Sequence, residues 1–553
     1  MKKRLKQKLG QIPFVRKQYA RLRCTQSVNL MVSWQDDLLV KMMPSSAELE
    51  RMARESEQFA IRPLISVIMP TYNTDLKMLN EAIRSVQAQV YTNWELIIID
   101  DCSPDQAVKE SIFNHVTQDV RIKHIFLLEN RHIAGATNEG FKLAKGDYVA
   151  LFDHDDYLYP NALYENVKVI NQQPEIKFLY SDEDKIDELG NRHFDAYLKP
   201  DFNFDFLRCM NIITHFVLFK KELWTELGGE DAKYNGAQDW EFVMRLTNML
   251  ASHEIFHIDK VIYSWRVHSA STAMATGAKP YVPEAQRNLL RKDLKNREQF
   301  STKVYENYEA LGQWLFQYPV IGNPLVSIVI NGSDATGDLE NLLNSIFIKT
   351  SYFNFEVVVS NASEIADKYK KRHDNVVDDI NGDYIIAINP NFEILTFDWL
   401  EKLLGQAQRD DISYVMPRIV GREPHIVESV GLAISKNGEV LNLLNGFNML
   451  GHRTLTEHIH LTTHHYVTGV NPNCYMTSKA LFEMNTDIIA ESIKVSQGKF
   501  YNVFVSDVQV KNNSQSSISK SLGIYKEFEN FHDTTVNSNF LAIEQNYKRG
   551  EKI

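Results

Sequence analysis

Residues 146–156 read GDYVALFDHDD, and this stretch decides the fold of the first half of the chain. The run YVALF is short and apolar, as expected of a strand that is buried on both faces. The acidic tetrad DHDD follows it directly. Because ligands bind at the carboxyl ends of the strands in an open parallel sheet, the stretch predicts a buried strand that presents acidic side chains to a ligand.

Strand and helix patterns alternate around this stretch. The apolar runs LISVIM (64–69), WELIIID (94–100) and KHIFLLE (123–129) predict strands, and apolar residues at steps of three and four predict a helix over 76–86. A repeated order of strand, helix and strand implies parallel pairing with right-handed crossovers. The predicted fold class is α/β, with a Rossmann-like, mostly parallel, doubly wound sheet.

The same pattern recurs in the second half of the chain. LVSIVINGSD (325–334) parallels LISVIMPTYN (64–73), NFEVVVSNAS (354–363) parallels residues 93–103, and GDYIIAINPN (382–391) parallels GDYVALFDHD (146–155). Three matches in one order predict a tandem duplication. Asn389 and Asn391 replace Asp153 and Asp155. We therefore expect a degenerate second copy that serves as an acceptor-binding surface, an interdomain brace or an oligomer contact.

These patterns divide the chain into five predicted segments. They are a basic arm with a helical lead-in (1–60), a first α/β domain (61–275), a helical linker (276–322), a degenerate second domain (323–513) and a tail (514–553). The tail is rich in Ser and Asn, so we expect it to be partly disordered.

Charge is segregated along the chain. The formal net charge is -11, yet residues 1–23 hold nine Lys or Arg and no Asp or Glu, which leaves -20 on the remainder. An acidic body argues against nucleic-acid binding. The arm interleaves apolar residues with cations, which suits the surface of an anionic membrane, although a solvated basic tail is the alternative.

The sequence shows no run of about 18 apolar residues and no signal peptide. We therefore expect a cytoplasmic protein that is peripheral on the inner face of the membrane. The four cysteines form no CxxC pair, so neither a disulfide framework nor a thiolate zinc site is indicated. Four histidines in HIHLTTHHYVTG (458–469) have irregular spacing in a β-rich context, which does not favour a metal site.

Four motifs carry candidate chemistry, and each has a plain structural alternative. Carboxylates crowded at a strand end, as in DHDD, favour Mg or Mn between them, although an acidic helix cap also fits. Asp101 suits the imide N–H of uracil or thymine with Tyr72 stacked on the base, or the pair Asp100-Asp101 marks a turn. GAQDWEF (236–242) opens an amphipathic helix, and Asp239 near its start could be a plain N-cap. In WRVHSAST (265–272), a cation and an imidazole suit a pyrophosphate or its metal, or the histidine is structural.

Together these motifs resemble glycosyltransferase family 2 on a GT-A fold, over residues 61–275. The motifs that carry the resemblance stand in this order: PTYN (70–73), IIIDDCS (97–103), GATNEG (135–140), Asp153 with Asp155, YSDEDK (180–185), KPDF (199–202), GAQDWEF and WRVHSAST. The resemblance implies a nucleoside pocket lined by Thr71, Tyr72, Asn73 and Asp101, with Asp100 ending the strand beside it. It implies that Asp153 and Asp155 hold the ribose and a divalent metal, that His268 and Arg266 close over the diphosphate, and that Asp239 is the general base. The predicted metal ligands are Asp153, Asp155 and His268.

One base without an enzyme nucleophile implies a single displacement and therefore inversion. The expected reaction moves a sugar from a UDP- or dTDP-sugar to a hydroxyl, with a lipid-linked saccharide of a bacterial surface polysaccharide as the leading acceptor. Two alternatives remain. A sugar nucleotidyltransferase needs a glycine-rich basic loop after its first strand, and PTYNTD (70–75) has neither Gly nor Lys. A non-catalytic scaffold is the other alternative, and the intact Asp153, Asp155 and Asp239 argue against it.

Overall fold

The computed structural model describes residues 39, 42–268, 281–332, 339–451, 454–484, 487–514 and 517–541. The basic arm at 1–23 and the residues SAST of the last motif therefore lie outside the described residues. Within the described ranges, no helix combines the length and the apolar character needed to cross a lipid bilayer.

The first half of the chain forms one sheet surrounded by helices. Its strands are β1 Ile65–Thr71, β2 Trp94–Asp100, β3 Ile122–Phe126, β4 Tyr148–Leu151, β5 Tyr157–Leu158, β6 Phe178–Asp187, β7 His193–Tyr197, β8 Val217–Lys220 and β9 Ile255–Val267. Its helices are α1 Ser46–Glu57, α2 Leu76–Gln87, α3 Gln106–Gln118, α4 His132–Leu143, α5 Ala162–Gln172, α6 Phe204–Cys209, α7 Lys221–Leu227 and α8 Gln238–Met249.

The elements form where local chemistry predicts them. Strand β2 is buried along its whole length, which matches its continuous apolar run. Helix α2 begins at Asp75, whose side chain accepts from the backbone N–H groups of Lys77 and Met78. Its buried face, which includes Leu79 and Ile83, recurs at the spacing of an amphipathic helix and packs into the core.

The sheet is doubly wound at one side and mixed at the other. Its strand order is β3-β2-β1-β4-β8-β6-β9-β5, with β7 paired to β6. The first four strands are parallel, whereas β8 runs antiparallel between β4 and β6. The expected mostly parallel sheet is therefore confirmed for the part that carries the strand ends of β1, β2 and β4, and the rest of the sheet is mixed.

The segment predicted as a helical linker is only partly helical. It contains helix α9 Val282–Asn296, followed by the antiparallel pair β10 Lys303–Glu306 and β11 Trp314–Gln317. Trp314 is fully buried, so the hairpin belongs to the folded core. The helical spacing over 285–294 predicts α9, whereas the predicted helical linker does not include the strands β10 and β11 that follow it.

The second half of the chain forms a second sheet. Its strands are β12 Val326–Asn331, β13 Phe355–Ser360, β14 Val376–Val377, β15 Tyr384–Ile388, β16 Phe392–Ile394, β17 Ile412–Val420, β18 Val427–Ser429, β21 His465–Val467, β22 Cys474–Ser478 and β23 Tyr501–Asn512. A small separate sheet is built from β19 Leu432–Ile434, β20 Glu439–Asn442 and β24 Ser521–Ile524. The helices are α10 Leu339–Lys349, α11 Ser363–Lys370, α12 Trp399–Ala407, α13 Leu455–Thr462, α14 Lys479–Met484 and α15 Ile488–Ser496.

The two large sheets have the same topology. The order of the second is β14-β13-β12-β15-β22-β17-β23-β16, which matches the first strand by strand. The directions also match, because β15 with β22 is antiparallel like β4 with β8, and β17 with β23 is parallel like β6 with β9. This agreement supports the proposed duplication, and the exact domain boundaries stay a prediction.

A buried polar network repeats at the amino ends of the strands in both sheets. In the first, Ser66 Oγ donates to Glu95 Oε1 over 2.6 Å and accepts from Gly146 N over 2.8 Å. In the second, Ser327 Oγ donates to Glu356 Oε1 over 2.5 Å and accepts from Gly382 N over 2.8 Å. We call each of these the Ser–Glu–Gly network; it joins β1 to β2 and to the turn before β4, and its counterpart does the same in the second sheet.

The part of the tail that the structure describes makes specific contacts with the rest of the chain, and the expected partial disorder of the tail stays a prediction. Phe540 and Leu541 are buried, and the Phe540 ring stacks on His460. Asn537 Nδ2 donates to Asp182 Oδ2 and to Lys199 O, each over 2.9 Å. Although the tail has few apolar residues, the side-chain amide of Asn537 binds it to the first half of the chain. Composition alone does not predict such a contact.

The histidines of residues 458–465 also lie in a different context from the expected one. His458 and His460 belong to helix α13, and only His465 begins a strand. His464 Nε2 is paired with Asp507 Oδ1 at 3.0 Å, and the His465 ring stacks on Phe206. Burial lowers the pKa of His460 to about 3, as expected for a neutral imidazole in a core.

Candidate active site

The loop after β4 carries the acidic tetrad, and its members have different surroundings. Asp156 is buried, and its carboxylate accepts from Arg266 N over 2.7 Å and from the Tyr263 hydroxyl. Asp153 and Asp155 are partly exposed at the rim of the sheet. Asp156 therefore fixes the loop, while the carboxylates of Asp153 and Asp155 remain partly accessible.

Asp155 and His268 are brought together from distant parts of the sequence. Their side chains meet at 2.8 Å, between Asp155 Oδ2 and His268 Nε2. Burial acts to raise the pKa of Asp155, but nearby His154 and the hydrogen bond with His268 outweigh it, and the net effect lowers the pKa. A carboxylate and an imidazole at one point form the kind of pair that binds a divalent cation.

Asp153 lies at a cleft together with Asp239. The lining comprises Pro70, Ile133, Thr137, Leu151, Phe152, Asp153, Phe178, Ile213, Thr214, His215, Val217, Phe219, Glu230, Gln238, Asp239, Phe242 and Val243. Burial raises the pKa of Asp153, and the neighbouring carboxylates of Asp155 and Asp239 add to this against the effect of His215. The sheet thus places Asp239, the predicted base, and Asp153, a residue predicted to bind the sugar donor, in one cavity.

Asp239 lies in the first turn of helix α8, where the N–H groups favour a carboxylate. It does not act as the N-cap, because the residue at that position is Ala237, which makes no side-chain cap bond. Asn211 Nδ2 donates to Asp239 Oδ2 over 2.9 Å. One carboxylate oxygen is therefore held by a neutral amide.

The ends of β1 and β2 carry the residues predicted to line the nucleoside pocket. Asp101 N donates to Thr71 O over 2.8 Å, and Asn73 N donates to Ser103 Oγ over 2.8 Å. Tyr72 is 49% exposed, so its ring is accessible to a planar ligand. Asn73 has a φ of 47°, which turns the chain away from the sheet at this point.

Asp101 and Asp100 have different roles at this edge. Burial raises the pKa of Asp101, against the effect of backbone hydrogen bonds from Arg131 and His132. Asp100 is fully buried, and its two oxygens lie 3.3 and 3.2 Å from Ser103 N. Asp100 therefore stabilises the turn after β2, and its expected place beside the nucleoside pocket stays a prediction.

Arg266 is buried beside the acidic loop. It is 1% exposed, its Nη2 lies 2.9 Å from Glu81 Oε2, and its Nε donates to Asp155 O over 2.6 Å. The guanidinium thus contacts Glu81 and the backbone of the acidic loop. The expected contact of Arg266 with a diphosphate stays a prediction.

Two residues of the cleft escaped the sequence analysis. His215 Nε2 lies 3.8 Å from Asp153 Oδ2, and its Nδ1 lies 3.3 Å from Glu183 Oε2. Burial acts to lower the pKa of His215, but Glu183 outweighs it and raises the pKa to about 9. Glu230 is 6% exposed, and burial together with Asp239 and Asp153 raises its pKa to about 8. No sequence motif predicts a role for His215 or Glu230, because both come close to Asp153 only through the tertiary fold.

Two sets of side chains fit a divalent metal by type. Asp153, Asp156 and His215 offer ligand atoms within 4.8 Å of one another. Both oxygens of Asp156, however, already accept protein hydrogen bonds. Asp155 pairs with His268 at 2.8 Å and also lies 3.9 Å from His154 Nδ1. Asp153 belongs to both sets, and the predicted ligand set of Asp153, Asp155 and His268 stays a prediction.

The strand order and the acidic rim after β4 define a GT-A fold. The model of glycosyl transferase family 2 matches residues 66–228. The chain therefore carries a domain that belongs to glycosyl transferase family 2.

Longer relatives share more of the chain than this domain. An uncharacterized protein, y4gI of Sinorhizobium fredii, is 37% identical over 412 residues, which cover 68% of this chain and 45% of the relative. The O-antigen biosynthesis protein RfbC of Myxococcus xanthus is 29% identical over 416 residues, covering 71% of this chain and 32% of the relative. The chain thus spans less than half the length of these two relatives. Among solved structures, S. aureus TarS 1–349 in complex with UDP-GlcNAc has a TM-score of 0.35 at 19% identity, covering 43% of this chain and 70% of that one.

Proposed function

We propose that residues 61–275 transfer a sugar from a UDP- or dTDP-sugar to a hydroxyl group, with inversion at the anomeric carbon. The observation that carries this proposal is that Asp153 and Asp239 line one cleft at the carboxyl ends of the parallel strands. Such a transfer requires a residue that binds the sugar donor and a general base to lie at the same sugar. The family of the domain agrees with this chemistry.

Asp239 is the proposed general base. An acceptor hydroxyl is a weak nucleophile, so a carboxylate must take its proton as the new bond forms. Asn211 holds one oxygen of Asp239 by a hydrogen bond of 2.9 Å, which fixes the orientation of the carboxylate. No second residue is needed as a covalent nucleophile, and a single displacement from the opposite face gives inversion.

The acidic rim is the proposed site of a divalent cation, Mg or Mn. Asp153, Asp155 and His268 would hold it, and it would neutralise the charge that develops on the leaving diphosphate. Arg266 and Asp156 keep the loop in place from below, through Asp155 O and Arg266 N. On the other side, Tyr72 stacks on the base and Asp101 accepts its imide N–H, which favours uracil or thymine.

The proposed acceptor is a lipid-linked saccharide in the synthesis of a bacterial surface polysaccharide. The similarity to RfbC, an O-antigen biosynthesis protein, supports the polysaccharide class. The basic arm at residues 1–23 supports a place on the inner face of the membrane, where such acceptors are assembled on lipid. The second half of the chain braces the first, since Arg409 is paired with Asp205 and Thr456 Oγ1 accepts from Leu198 N.

The test is release of a nucleoside diphosphate by the purified full chain. Each of a panel of UDP- and dTDP-sugars is supplied with Mn or Mg, and the diphosphate and the anomeric configuration of the product are measured. Release from at least one sugar, abolished in Asp239→Asn, supports the proposal. Formation of a nucleotide-sugar from a nucleoside triphosphate would indicate a nucleotidyltransferase instead, and neither reaction would indicate a scaffold.

A further inference from the structure

We propose that Glu230 binds a sugar hydroxyl in the cleft and thereby helps to select the sugar that is accepted. This inference rests on the proposed transfer, because it assigns a substrate contact within the same cleft. Glu230 precedes helix α8 by eight residues and lies outside the motifs that carry the family resemblance.

One of the two carboxyl oxygens of Glu230 is buried and makes no hydrogen bond to the described residues. Its Oε2 has no hydrogen-bond partner among the described residues, and the residue is 6% exposed. The same side chain lines the cleft with Asp153 and Asp239. A buried polar group without a partner is rare in a native protein and calls for a ligand or a functional reason.

The described hydrogen bonds of Glu230 are made by its backbone, and its side-chain Oε2 takes part in none of them. Glu230 N donates to Asn138 Oδ1, and Glu230 O accepts from Asn138 Nδ2. Arg245, the nearby cation, donates instead to both oxygens of Glu241 and to the carbonyls of Leu227 and Gly229. Asn138 thus holds the backbone of Glu230, whereas Arg245 is hydrogen-bonded elsewhere and acts on the Glu230 carboxyl only through its charge.

The chemistry of the cleft favours a hydroxyl as the occupant. Buried apolar side chains, including Ile213, Phe242 and Val243, make up much of the lining around Glu230. A carboxyl oxygen accepts a hydrogen bond from a sugar hydroxyl whether or not the group carries a proton, so the proposed contact does not depend on the titration of Glu230.

The decisive variant is Glu230→Met, which keeps the length of the side chain and removes its polar atoms. Because an unpaired buried carboxyl destabilises the folded protein, we expect the Met variant to melt at a higher temperature than the wild type. We expect its KM for one substrate to rise about 10-fold, the size of one lost hydrogen bond in a buried site. Glu230→Gln, which still donates and accepts, should stay closer to wild type and serves as the matched control.

Two arms identify which sugar supplies the hydroxyl. The probe is the nucleotide-sugar that the wild type uses fastest in the panel, and UDP or dTDP alone is its control. If the hydroxyl belongs to the donor, Glu230→Met weakens binding of the nucleotide-sugar in calorimetry and leaves binding of the free diphosphate unchanged. If it belongs to the acceptor, donor binding is unchanged and the KM for the acceptor rises.

Deoxygenated substrates complete the test. The analogue that lacks the contacted hydroxyl should be a poorer substrate for the wild type and should lose this disadvantage in Glu230→Met. An active Met variant with unchanged KM values and unchanged discrimination among the analogues overturns the inference and leaves the proposed transfer intact. A wild type that releases no diphosphate from any sugar overturns both.

Discussion

Asn211 Nδ2 lies 2.9 Å from Asp239 Oδ2, so a neutral amide holds one oxygen of the proposed base. The two residues come from different elements, since Asn211 follows helix α6 and Asp239 opens helix α8. An amide donor orients the carboxylate without the ion pair that a cation would form, and it leaves the group able to accept a proton.

Replacing Asp239 by Asn should lower kcat by roughly 10²–10⁴-fold, because the shape is kept and the base is lost. Diphosphate release under saturating substrate measures this. Glu226→Gln, which removes an exposed carboxylate on helix α7, is the control and should be close to wild type. Near-wild-type turnover in Asp239→Asn would remove Asp239 from the mechanism.

Replacing Asn211 by Ala should lower kcat less, by about 10-fold, because the base remains but is no longer held. The distinguishing measurement is the double variant. Since Asn211 acts through Asp239, Asn211→Ala should cost nothing further in the Asp239→Asn background. Additive losses would show that Asn211 acts independently.

Chelation by EDTA should abolish transfer, and Mn or Mg should restore it. Asp155→Asn and His268→Ala should each weaken the cation-dependent part of nucleotide-sugar binding, measured by calorimetry with and without Mn. His253→Ala, at an exposed position on the first half of the chain, is the control. Full transfer in the presence of chelator would contradict the metal site.

Restoring the acidic residues of the second half should not create a site there. Asn389→Asp with Asn391→Asp, introduced into an inactive Asp155→Ala chain, should give no diphosphate release. Asn389 Nδ2 is already engaged with Asn473 Oδ1 at 3.1 Å, and the second half shows no counterpart of the GAQDWEF motif in its sequence. Recovered activity would show that the second half still carries a competent base.

The stability of the chain should depend on pH through His257. Its Nε2 lies 2.8 Å from Asp182 Oδ1 and its Nδ1 lies 3.1 Å from Asp201 Oδ1, so both ring nitrogens face carboxylates. Burial acts to lower the pKa of His257, but Asp182 and Asp201 raise it from 6.5 to about 9. A raised pKa stabilises the fold below the unfolded value, and this contribution is lost as the pH rises through the folded value.

His257→Gln should therefore lower the melting temperature by several degrees near pH 6, and the difference from wild type should shrink at about pH 10. Thermal unfolding of both chains across this range measures it. A difference that is equal at both ends of the range would show that His257 contributes only by packing. Because Asn537 binds Asp182 as well, the variant should also loosen residues 535–541, which proteolysis can follow.

Deleting residues 1–23 should move the protein from the membrane fraction to the soluble fraction, because the deletion removes nine cations. Binding of the full chain to anionic vesicles should weaken with added salt, whereas neutral vesicles should bind little. An unchanged distribution after the deletion would exclude this role of the arm.

Local pattern predicted the parts of the fold that depend on neighbours in sequence. The apolar run 94–100 coincides with β2, and the acidic tetrad lies at the end of β4 as expected. The missed parts depend on pairing between distant strands. His215 reaches Asp153 only because β8 pairs antiparallel with β4, with Val217 opposite Leu151. Nothing in the composition of either segment announces that register.

The burial of charged groups was the second limit. Arg266 follows a β-run beside His268, and sequence cannot show that its side chain lies beneath the acidic loop while the imidazole lies at its rim. Alternation along a strand would place Arg266 and His268, which are two residues apart, on the same face, but β9 ends at Val267 and His268 lies beyond it. The face of β9 that borders the site depends on the twist of the sheet and on the register of β9 with β6. Both are known only from the folded structure.

The Ser–Glu–Gly network lies at the amino ends of the strands, whereas the acidic groups lie at the carboxyl ends. The second half of the chain keeps the first feature and has exchanged the second for amides. The hydrogen bonds that hold the strands together and the acidic residues thus lie at opposite ends of the strands, so substitution of the acidic residues leaves those hydrogen bonds in place. The second half of the chain has this combination, with the network intact and amides at the acidic positions.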